Sequence, residues 1–265
     1  MRRILFELAI TALSFFGIWF LLSQVDYVTV FKLKERTYID ESRLGEIFWK
    51  NFSRTEHEVT DSTITTPLLE IKNTICEANG ISPDSIKLHV FENSEVNAFA
   101  MPAGHLVVYT GLITDCKNPE ELAGVVAHEI AHIMHKHVMK KLVKEVGIAV
   151  VASLISGNSG SEIIAEVIRL TSSTAYDRTL ETEADAAAVG YLANAGINPE
   201  HFANFLLRLS TETDLPQALV LINTHPNSKD RVAALNELIQ QTDFQPTEML
   251  NPAEWEELVK RVKML

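Results

Sequence analysis

The hydrophobic positions are concentrated in one unbroken run at the start of the chain. Residues 4–22 contain a single charged side chain, Glu7. Nineteen helical residues at about 1.5 Å each extend roughly 28 Å, which matches the hydrocarbon thickness of a bilayer. The run therefore predicts one N-terminal transmembrane helix, and we assign residues 1–24 to a membrane anchor. A cleaved signal peptide is the alternative, although the residues after the run lack a small-x-small cleavage pattern.

Beyond the anchor, the pattern alternates between helical and extended segments. Residues 25–66 are mixed and polar, and we assign them to a juxtamembrane arm with one amphipathic helix around Glu41–Phe52. Pro67 predicts the start of a helix that Gly80 ends. Alternating apolar positions then predict three short strands, at Lys87–Phe91, Asn97–Ala100 and Leu106–Tyr109.

The second half of the chain is almost entirely helical in its pattern. Asn118 and Asn251 are predicted N-caps, because each precedes a proline and is followed three residues later by a glutamate. We assign residues 67–242 to the main domain and residues 243–265 to a C-terminal helical tail. The predicted fold class is α+β, a mostly helical domain with a small sheet.

Composition excludes some classes of protein. The chain has 265 residues, and its 23 basic against 35 acidic side chains give a formal net charge of −12. This balance argues against a nucleic-acid binder, which needs a basic face to neutralise phosphates. The two cysteines, Cys76 and Cys116, are too few for a disulfide scaffold.

One predicted helix carries residues with the spacing of a metal site. His128 and His132 are four residues apart, so their rings project from one helix face and can reach one tetrahedral Zn²⁺ at about 2.0–2.1 Å. Glu129 lies beside that position and can take a proton from water, the general-base role of this motif. The alternative is a core helix that contains these residues by chance.

A catalytic zinc site needs a third protein ligand. The pattern HExxHxxGxxH is excluded, since His135 and Val138 occupy the positions of its glycine and last histidine. Glu181 and Asp185 lie one turn apart on a later predicted helix. One of the two can ligate the metal while the other accepts a hydrogen bond from a ligand histidine. A solvated acidic helix face is the alternative for this segment.

These residues resemble the HtpX and CAAX-prenyl-protease family of zinc metalloendopeptidases, which belongs to the gluzincins. The resemblance covers about residues 97–231 and rests on four motifs in the same order. Asn97-Ala98-Phe99-Ala100-Met101-Pro102-Ala103-Gly104 is similar to NAFALPGG, His128-Glu129-x-x-His132 with His137 to HExxHxxxxH, Arg178-x-x-Glu181-x-x-Ala184-Asp185 to SRxxExxAD, and His225-Pro226 with Arg231 to HPxxxxR. The chain departs from the pattern at Ala103, where glycine is usual, and at Asp177, where serine is usual.

The resemblance implies a role for each matching residue. It implies a mostly helical zincin-like metallopeptidase domain, with the edge strand of its small sheet beside the active-site helix. It assigns one zinc ion per chain to His128, His132 and Glu181, with Glu129 as the base. Around them, Asp185, Arg178 and His137 support the ligands, and Asn97, Ala98, Phe99 and Ala100 form a strand that pairs with an extended substrate. His225 and Arg231 flank the open position and stabilise the oxyanion, although in some relatives this histidine reaches the metal and holds the enzyme inactive.

A basic stretch at residues 135–144 precedes an apolar stretch at Gly147–Ile155. The two stretches predict either a solvated helix face followed by a buried helix, or an apolar lid over the site. The apolar stretch is too short to span a bilayer.

The sequence therefore predicts a membrane-anchored zinc metalloendopeptidase that hydrolyses unfolded or misfolded polypeptides. Arg2 and Arg3 favour a cytoplasmic N-terminus, which places the catalytic domain in the periplasm or elsewhere outside the cytoplasm. The expected partners are polypeptide substrates and the membrane. The prediction allows a regulatory protein partner and excludes nucleic acid. The alternative function is a membrane-tethered chaperone or adaptor with a latent or structural zinc site. Structural zinc sites are usually rich in cysteine, and neither cysteine lies near the motif in sequence.

Overall fold

A computed structural model describes residues 33–157, 159–211, 219–225, 229–245 and 250–265. The predicted membrane anchor at residues 1–24 lies outside these ranges. Within them, none of the helices combines the length and the apolar character that crossing a membrane requires. The chain divides into one unit up to Glu41 and a second unit from Ser42 onward. The described part of the first unit is the beginning of the helix Leu33–Phe52.

The structure has a helix at each place where the sequence predicts a particular one, and it has further helices between them. In the first half of the chain they are α1 (Leu33–Phe52), α2 (Ser62–Ala78), α3 (Thr110–Asp115), α4 (Pro119–Met134) and α5 (His137–Val146). In the second half they are α6 (Ile148–Ile155), α7 (Ser161–Ser173), α8 (Arg178–Asn194), α9 (Glu200–Thr211), α10 (Leu219–Thr224), α11 (Lys229–Gln240) and α12 (Pro252–Val262). Together with the sheet they confirm the α+β class.

The sheet has three strands, β1 (Lys87–Phe91), β2 (Ala98–Met101) and β3 (His105–Tyr109), in the order β1-β3-β2. β1 runs parallel to β3, whereas β2 runs antiparallel to β3 with Ala100 opposite Leu106. The strands agree with the sequence prediction to within one residue. β2 is therefore an edge strand, and one row of its backbone groups faces away from the sheet.

The link between β2 and β3 is a single 3₁₀ turn, Pro102–Gly104. Gly104 has φ of 77°, and a Cβ there would lie 2.0 Å from the carbonyl oxygen of Ser85. Glycine is therefore required at this position. Ala103 also has a positive φ, 62°, which costs a non-glycine residue about 1–2 kcal/mol. This is the position at which the resembling family has glycine.

The start of α2 differs from the sequence prediction. The helix begins at Ser62, five residues before Pro67, because the carboxylate of Asp61 accepts a hydrogen bond from the backbone N–H of Thr63 at 2.9 Å. This N-cap satisfies a donor that would otherwise be unpaired at the helix start. The predicted end is confirmed: Gly80 has φ of 65° and follows the C-cap.

The predicted cap of α4 is confirmed and fixes the start of the helix that carries the metal motif. The side chain of Asn118 accepts a hydrogen bond from the backbone N–H of Glu121, and Pro119 is the first helical residue. The Glu121 carboxylate accepts from the backbone N–H of Lys117 and pairs with Arg208 on α9. At α12 the capping box around Asn251 is complete in both directions.

Helix α4 lies at the centre of the main core. All of its residues from Leu122 to His132 are buried. It packs against α8 and α9, and its other side faces β2. Because α4 is surrounded, its histidines and glutamate are held away from bulk water and need partners inside the fold.

A second apolar cluster joins α1 to the helices that follow α4. Leu44 and Phe48 on α1 pack with Ala100 on β2, and α6 contributes Val151 and Leu154. Val150 and Ile155 of α6 are partly buried against the same cluster, while the first residue of α6 is half exposed. Residues from 42 onward that we predict as a juxtamembrane arm belong to the same compact unit as the main domain. The boundaries of the arm and of the C-terminal tail remain predictions.

The contact between α4 and α9 in the main core can be tested by substitution. A Cβ on Gly124 would lie 2.5 Å from Cβ of Phe202, so Gly124→Ala is expected to lower the free energy of unfolding by about 1–3 kcal/mol. The matched control is Gly190→Ala on α8, where the new methyl group meets no atom within 4 Å and should raise stability by about 0.5–1 kcal/mol. Urea denaturation followed by circular dichroism measures both changes, and equal effects would contradict the packing.

Candidate active site

Two neighbouring turns of α4 present the first part of the site. The Nε2 atoms of His128 and His132 lie 3.0 Å apart, and both side chains are buried. Their positions follow from the helical repeat, since residues four apart lie above one another on one face. The structure thus brings together the two histidines that the motif predicts.

Helix α8 supplies two carboxylates to the same place. Glu181 Oε1 lies 3.3 Å from Nε2 of His132, and Glu181 Oε2 lies 3.6 Å from Nε2 of His128. Asp185 is one turn further along and lies on the other edge of a ring, with Oδ1 3.0 Å from Nδ1 of His128. Of the two acidic residues, Glu181 therefore faces the ring nitrogens that point at each other, and Asp185 supports a ring from behind.

The spacing of these donors fits a zinc ion. Four ligands at about 2.0–2.1 Å in a tetrahedron lie about 3.3 Å from one another. The Nε2 atoms of His128 and His132 are 3.0 Å apart, and each lies near a different Glu181 oxygen, Oε1 at 3.3 Å from His132 and Oε2 at 3.6 Å from His128. Two imidazoles and one carboxylate are also a donor set that zinc accepts. His128, His132 and Glu181 can thus hold such an ion without a large rearrangement.

Glu129 lies between this cluster and the edge strand. Its side chain is fully buried, and Oε2 accepts a hydrogen bond from the backbone N–H of Ala100 at 2.9 Å. Oε1 lies 3.3 Å from Nε2 of His225. Burial raises the pKa of Glu129 despite the opposing influence of His225 and His128. A carboxylate whose pKa is raised toward neutrality is better suited to accept and return a proton.

His225, the residue that follows α10, lies beside the cluster of His128, His132 and Glu181. Its Nδ1 lies 3.2 Å from Nε2 of His128 and 3.0 Å from Oε1 of Glu181. These separations are again those of tetrahedral ligands. His225 could therefore supply a fourth ligand to such an ion, in the place that a catalytic zinc site leaves to water.

Arg231 on α11 neutralises both carboxylates of α8. Its Nε and Nη2 form a bidentate pair with Asp185 at 2.5 and 2.7 Å, and Nη1 lies 2.7 Å from Oε2 of Glu181. Burial would raise the pKa of Asp185, but Arg231 and His128 outweigh it and lower that pKa. The guanidinium contacts carboxylates that face the metal donors, and its predicted contact with the oxyanion remains a prediction.

The two other supporting residues lie in different surroundings. His137, the first residue of α5, is buried, and its Nδ1 lies 3.0 Å from Nδ1 of His132. Arg178, the first residue of α8, is exposed. The structure thus brings His137 to a ligand histidine, whereas the supporting role of Arg178 remains a prediction.

Sequence reasoning missed two residues beside the site. Tyr176 is buried and stacks on the ring of His132, with centroids 4.1 Å apart. The ammonium group of Lys141 lies 4.1 Å from the centroid of that tyrosine and donates to the carbonyl of Thr171. Burial lowers the pKa of Lys141 to about 8 against the opposing influence of nearby carboxylates. No motif spacing singles out either residue, because only the fold brings Lys141 on α5 next to Tyr176, which lies two residues before α8.

The edge strand presents its backbone toward the site. The N–H of Ala100 points away from β3 and toward Glu129, so by alternation the N–H and carbonyl of Ala98 also point to the free edge. Asn97 is buried, and its carbonyl accepts from the N–H of Tyr109 on the sheet side. The substrate-binding roles of Asn97, Ala98, Phe99 and Ala100 remain predictions.

A helix with HExxH, an acidic second helix and an adjoining edge strand together define a metallopeptidase of the zinc-dependent class. The chain belongs to peptidase family M48, whose family model matches residues 68–239. The prediction of a zinc metalloendopeptidase is thereby confirmed at the level of the family. The finer placement with the HtpX and CAAX-prenyl proteases remains a prediction.

Curated relatives agree with this assignment. The mitochondrial metalloendopeptidase OMA1 of Schizosaccharomyces pombe is 28% identical over 170 residues, 63% of this chain and 50% of that protein. Metalloprotease YcaL of Escherichia coli is 27% identical over 61% of this chain and 65% of that protein. The β-barrel assembly-enhancing protease of Escherichia coli is 22% identical over 73% of this chain and 42% of that protein. The chain spans between two fifths and two thirds of these relatives' lengths.

Proposed function

We propose that this protein is a membrane-anchored zinc endopeptidase that cleaves unfolded or misfolded polypeptides outside the cytoplasm. The observation that carries the proposal is the contact of Glu129 with the backbone of Ala100. It places a buried proton acceptor between an edge strand and a set of zinc-type donors. Membrane anchoring rests on the apolar run at residues 4–22 and on the positive-inside rule.

The residues divide the chemistry among them. His128, His132 and Glu181 would hold one zinc ion per chain, which supplies Lewis-acid polarisation of the scissile carbonyl and of the attacking water. Glu129 accepts the proton of that water and returns it to the leaving amine nitrogen. Arg231 and Asp185 act as positioning residues, because they orient Glu181 and His128. Burial of the whole set strengthens these electrostatic interactions.

The edge of β2 explains a preference for unfolded substrates. The N–H and carbonyl of Ala98 and the carbonyl of Ala100 can pair with an extended peptide as a further strand. Such pairing reads the main chain, so it selects little among side chains. It does require a segment free of its own secondary structure, which unfolded polypeptides provide and folded domains do not.

The structure presents the site in a closed arrangement. His225 Nδ1 lies beside His128 and Glu181, and the side chains of Glu129 and His132 are inaccessible to solvent. Among the described residues, His225 fills the position beside His128 and Glu181 that a catalytic zinc site leaves to water. We therefore infer a resting state that a substrate or a regulatory protein partner opens. The same observation favours the second candidate function, a tethered chaperone or adaptor with a latent zinc site.

Casein cleavage by the full chain in mild detergent tests the proposal. Wild-type protein with added zinc is expected to degrade casein, a chelator should stop the reaction, and fresh zinc should restore it. Zinc content is measured on the same samples. A protein that binds zinc and never cleaves an unfolded substrate would instead support the chaperone or adaptor.

The closed arrangement predicts that His225→Ala accelerates cleavage severalfold, since the variant no longer fills the position that water needs. Bound zinc should be retained, because three donors remain. His57→Ala is the matched control, as His57 is exposed, and it should leave the rate unchanged. Loss of cleavage with zinc still bound would assign His225 to oxyanion stabilisation instead.

A further inference from the structure

A second group of possible metal ligands lies beside the active site. His135, His137 and Glu183 have donor atoms within 4.8 Å of one another. We propose that these three side chains form a second transition-metal site, separate from the one that His128, His132 and Glu181 form. None of the roles assigned to the catalytic reaction uses His135 or Glu183.

The geometry of the group is that of ligands around one ion. Nδ1 of His135 lies 2.9 Å from Oε1 of Glu183, and Nε2 of His137 lies 3.2 Å from Oε2 of Glu183. Lys136, between the two histidines, has φ of 56° and ends one helix where the next begins. This turn lets residues on both sides of Lys136 reach the same carboxylate on α8.

Exposure makes the group accessible to an ion from solution. The side chains of His135 and Glu183 are 34% and 43% exposed, whereas His137 is fully buried and therefore fixed. One anchored ligand and two accessible ones allow water to fill the remaining coordination positions. An ion pair between His135 and Glu183 at the surface would not require the buried imidazole of His137.

The ligand types determine which ion fits. Two imidazoles and one carboxylate suit zinc, nickel or copper and not calcium or magnesium, which take oxygen ligands. Lys140 Nζ lies 3.9 Å from Oε2 of Glu183, and its positive charge opposes a cation there. We therefore expect a weak zinc site that fills only when zinc is in excess over the catalytic ion.

His137 links the second site to the first. Its Nδ1 lies 3.0 Å from Nδ1 of His132. An ion bound at Nε2 of His137 would hold that ring against Glu183, while its other nitrogen contacts the ring of His132. A shift of the His137 ring toward such an ion changes the support of a proposed catalytic ligand. We therefore expect excess zinc to slow cleavage.

Metal stoichiometry tests the site without reference to catalysis. The untagged full chain in mild detergent is dialysed against increasing zinc, and bound zinc is measured by mass spectrometry. Two ions per chain are expected for wild type and for His57→Ala, and one for His135→Ala and for Glu183→Gln. A single ion in the wild type, or a second ion that persists in both site variants, would overturn the proposal. Circular dichroism verifies that each variant is folded.

A second experiment measures whether zinc at the second site slows cleavage through His137, and it rests on the proposed function. Excess zinc should slow casein cleavage by wild type and by His57→Ala, while His135→Ala should retain its rate. Equal inhibition of all three proteins would refute the link. The two failures are distinguishable: if no protein cleaves casein but the second ion is lost in the site variants, the second site stands and the proposed function fails.

Discussion

Glu129→Gln is expected to lower the rate of casein cleavage by about 10²–10⁴-fold, the range that positioned acid–base groups contribute. The glutamine amide oxygen can still accept from the N–H of Ala100, so the contact with β2 should survive. An amide cannot accept the proton of the attacking water, and the chemical step alone should fail. The measurement pairs initial cleavage rates with bound zinc, which should remain at the wild-type ratio.

Glu120→Gln is the matched control for this variant. Glu120 lies on the same helix, in its first turn, and the substitution is chemically identical. It should leave the rate close to that of the wild type. If Glu129→Gln cleaves as fast as this control, Glu129 is not the base and the proposed division of roles is wrong.

The metal-binding helix is the part of the site that sequence predicts best. The spacing of His128 and His132 and the cap at Asn118 both depend on the local repeat of one helix, and the structure reproduces both. The choice between Glu181 and Asp185 could not be made from spacing. It depends on how α8 packs against α4, which places one carboxylate at the inner ring edges and the other behind His128.

Contacts between distant segments account for the rest of what sequence could not supply. His225 lies 97 residues after His128 in the chain, and its Nδ1 is nevertheless 3.2 Å from that ring. A motif indicates that this histidine belongs to the site, but only the fold decides whether it faces substrate or the metal donors. Tyr176 and Lys141 carry no motif, and their stacking beside His132 follows from the packing of helices.

Glu181→Ala is expected to have the second large effect, a loss of zinc affinity well beyond 100-fold. Residues that only support a ligand are worth about 10–100-fold in metal affinity, and Glu181 is proposed as a ligand itself. Its two oxygens lie 3.3 and 3.6 Å from the histidine nitrogens. Competition with a chromophoric chelator measures the affinity, and cleavage should fall in step with bound zinc.

Arg231 complicates this variant and suggests a second one. Removing Glu181 leaves Nη1 of Arg231, whose side chain is 7% exposed, without that carboxylate, so Glu181→Ala can also destabilise the fold. Glu181→Gln keeps the shape of the side chain and replaces the carboxylate with a weak ligand, so it should lose zinc while remaining folded. Glu237→Ala, an exposed position on α11, should bind zinc as the wild type does. Wild-type zinc affinity in both Glu181 variants would exclude Glu181 as the third ligand and leave His225 as the donor that holds the ion with the two histidines.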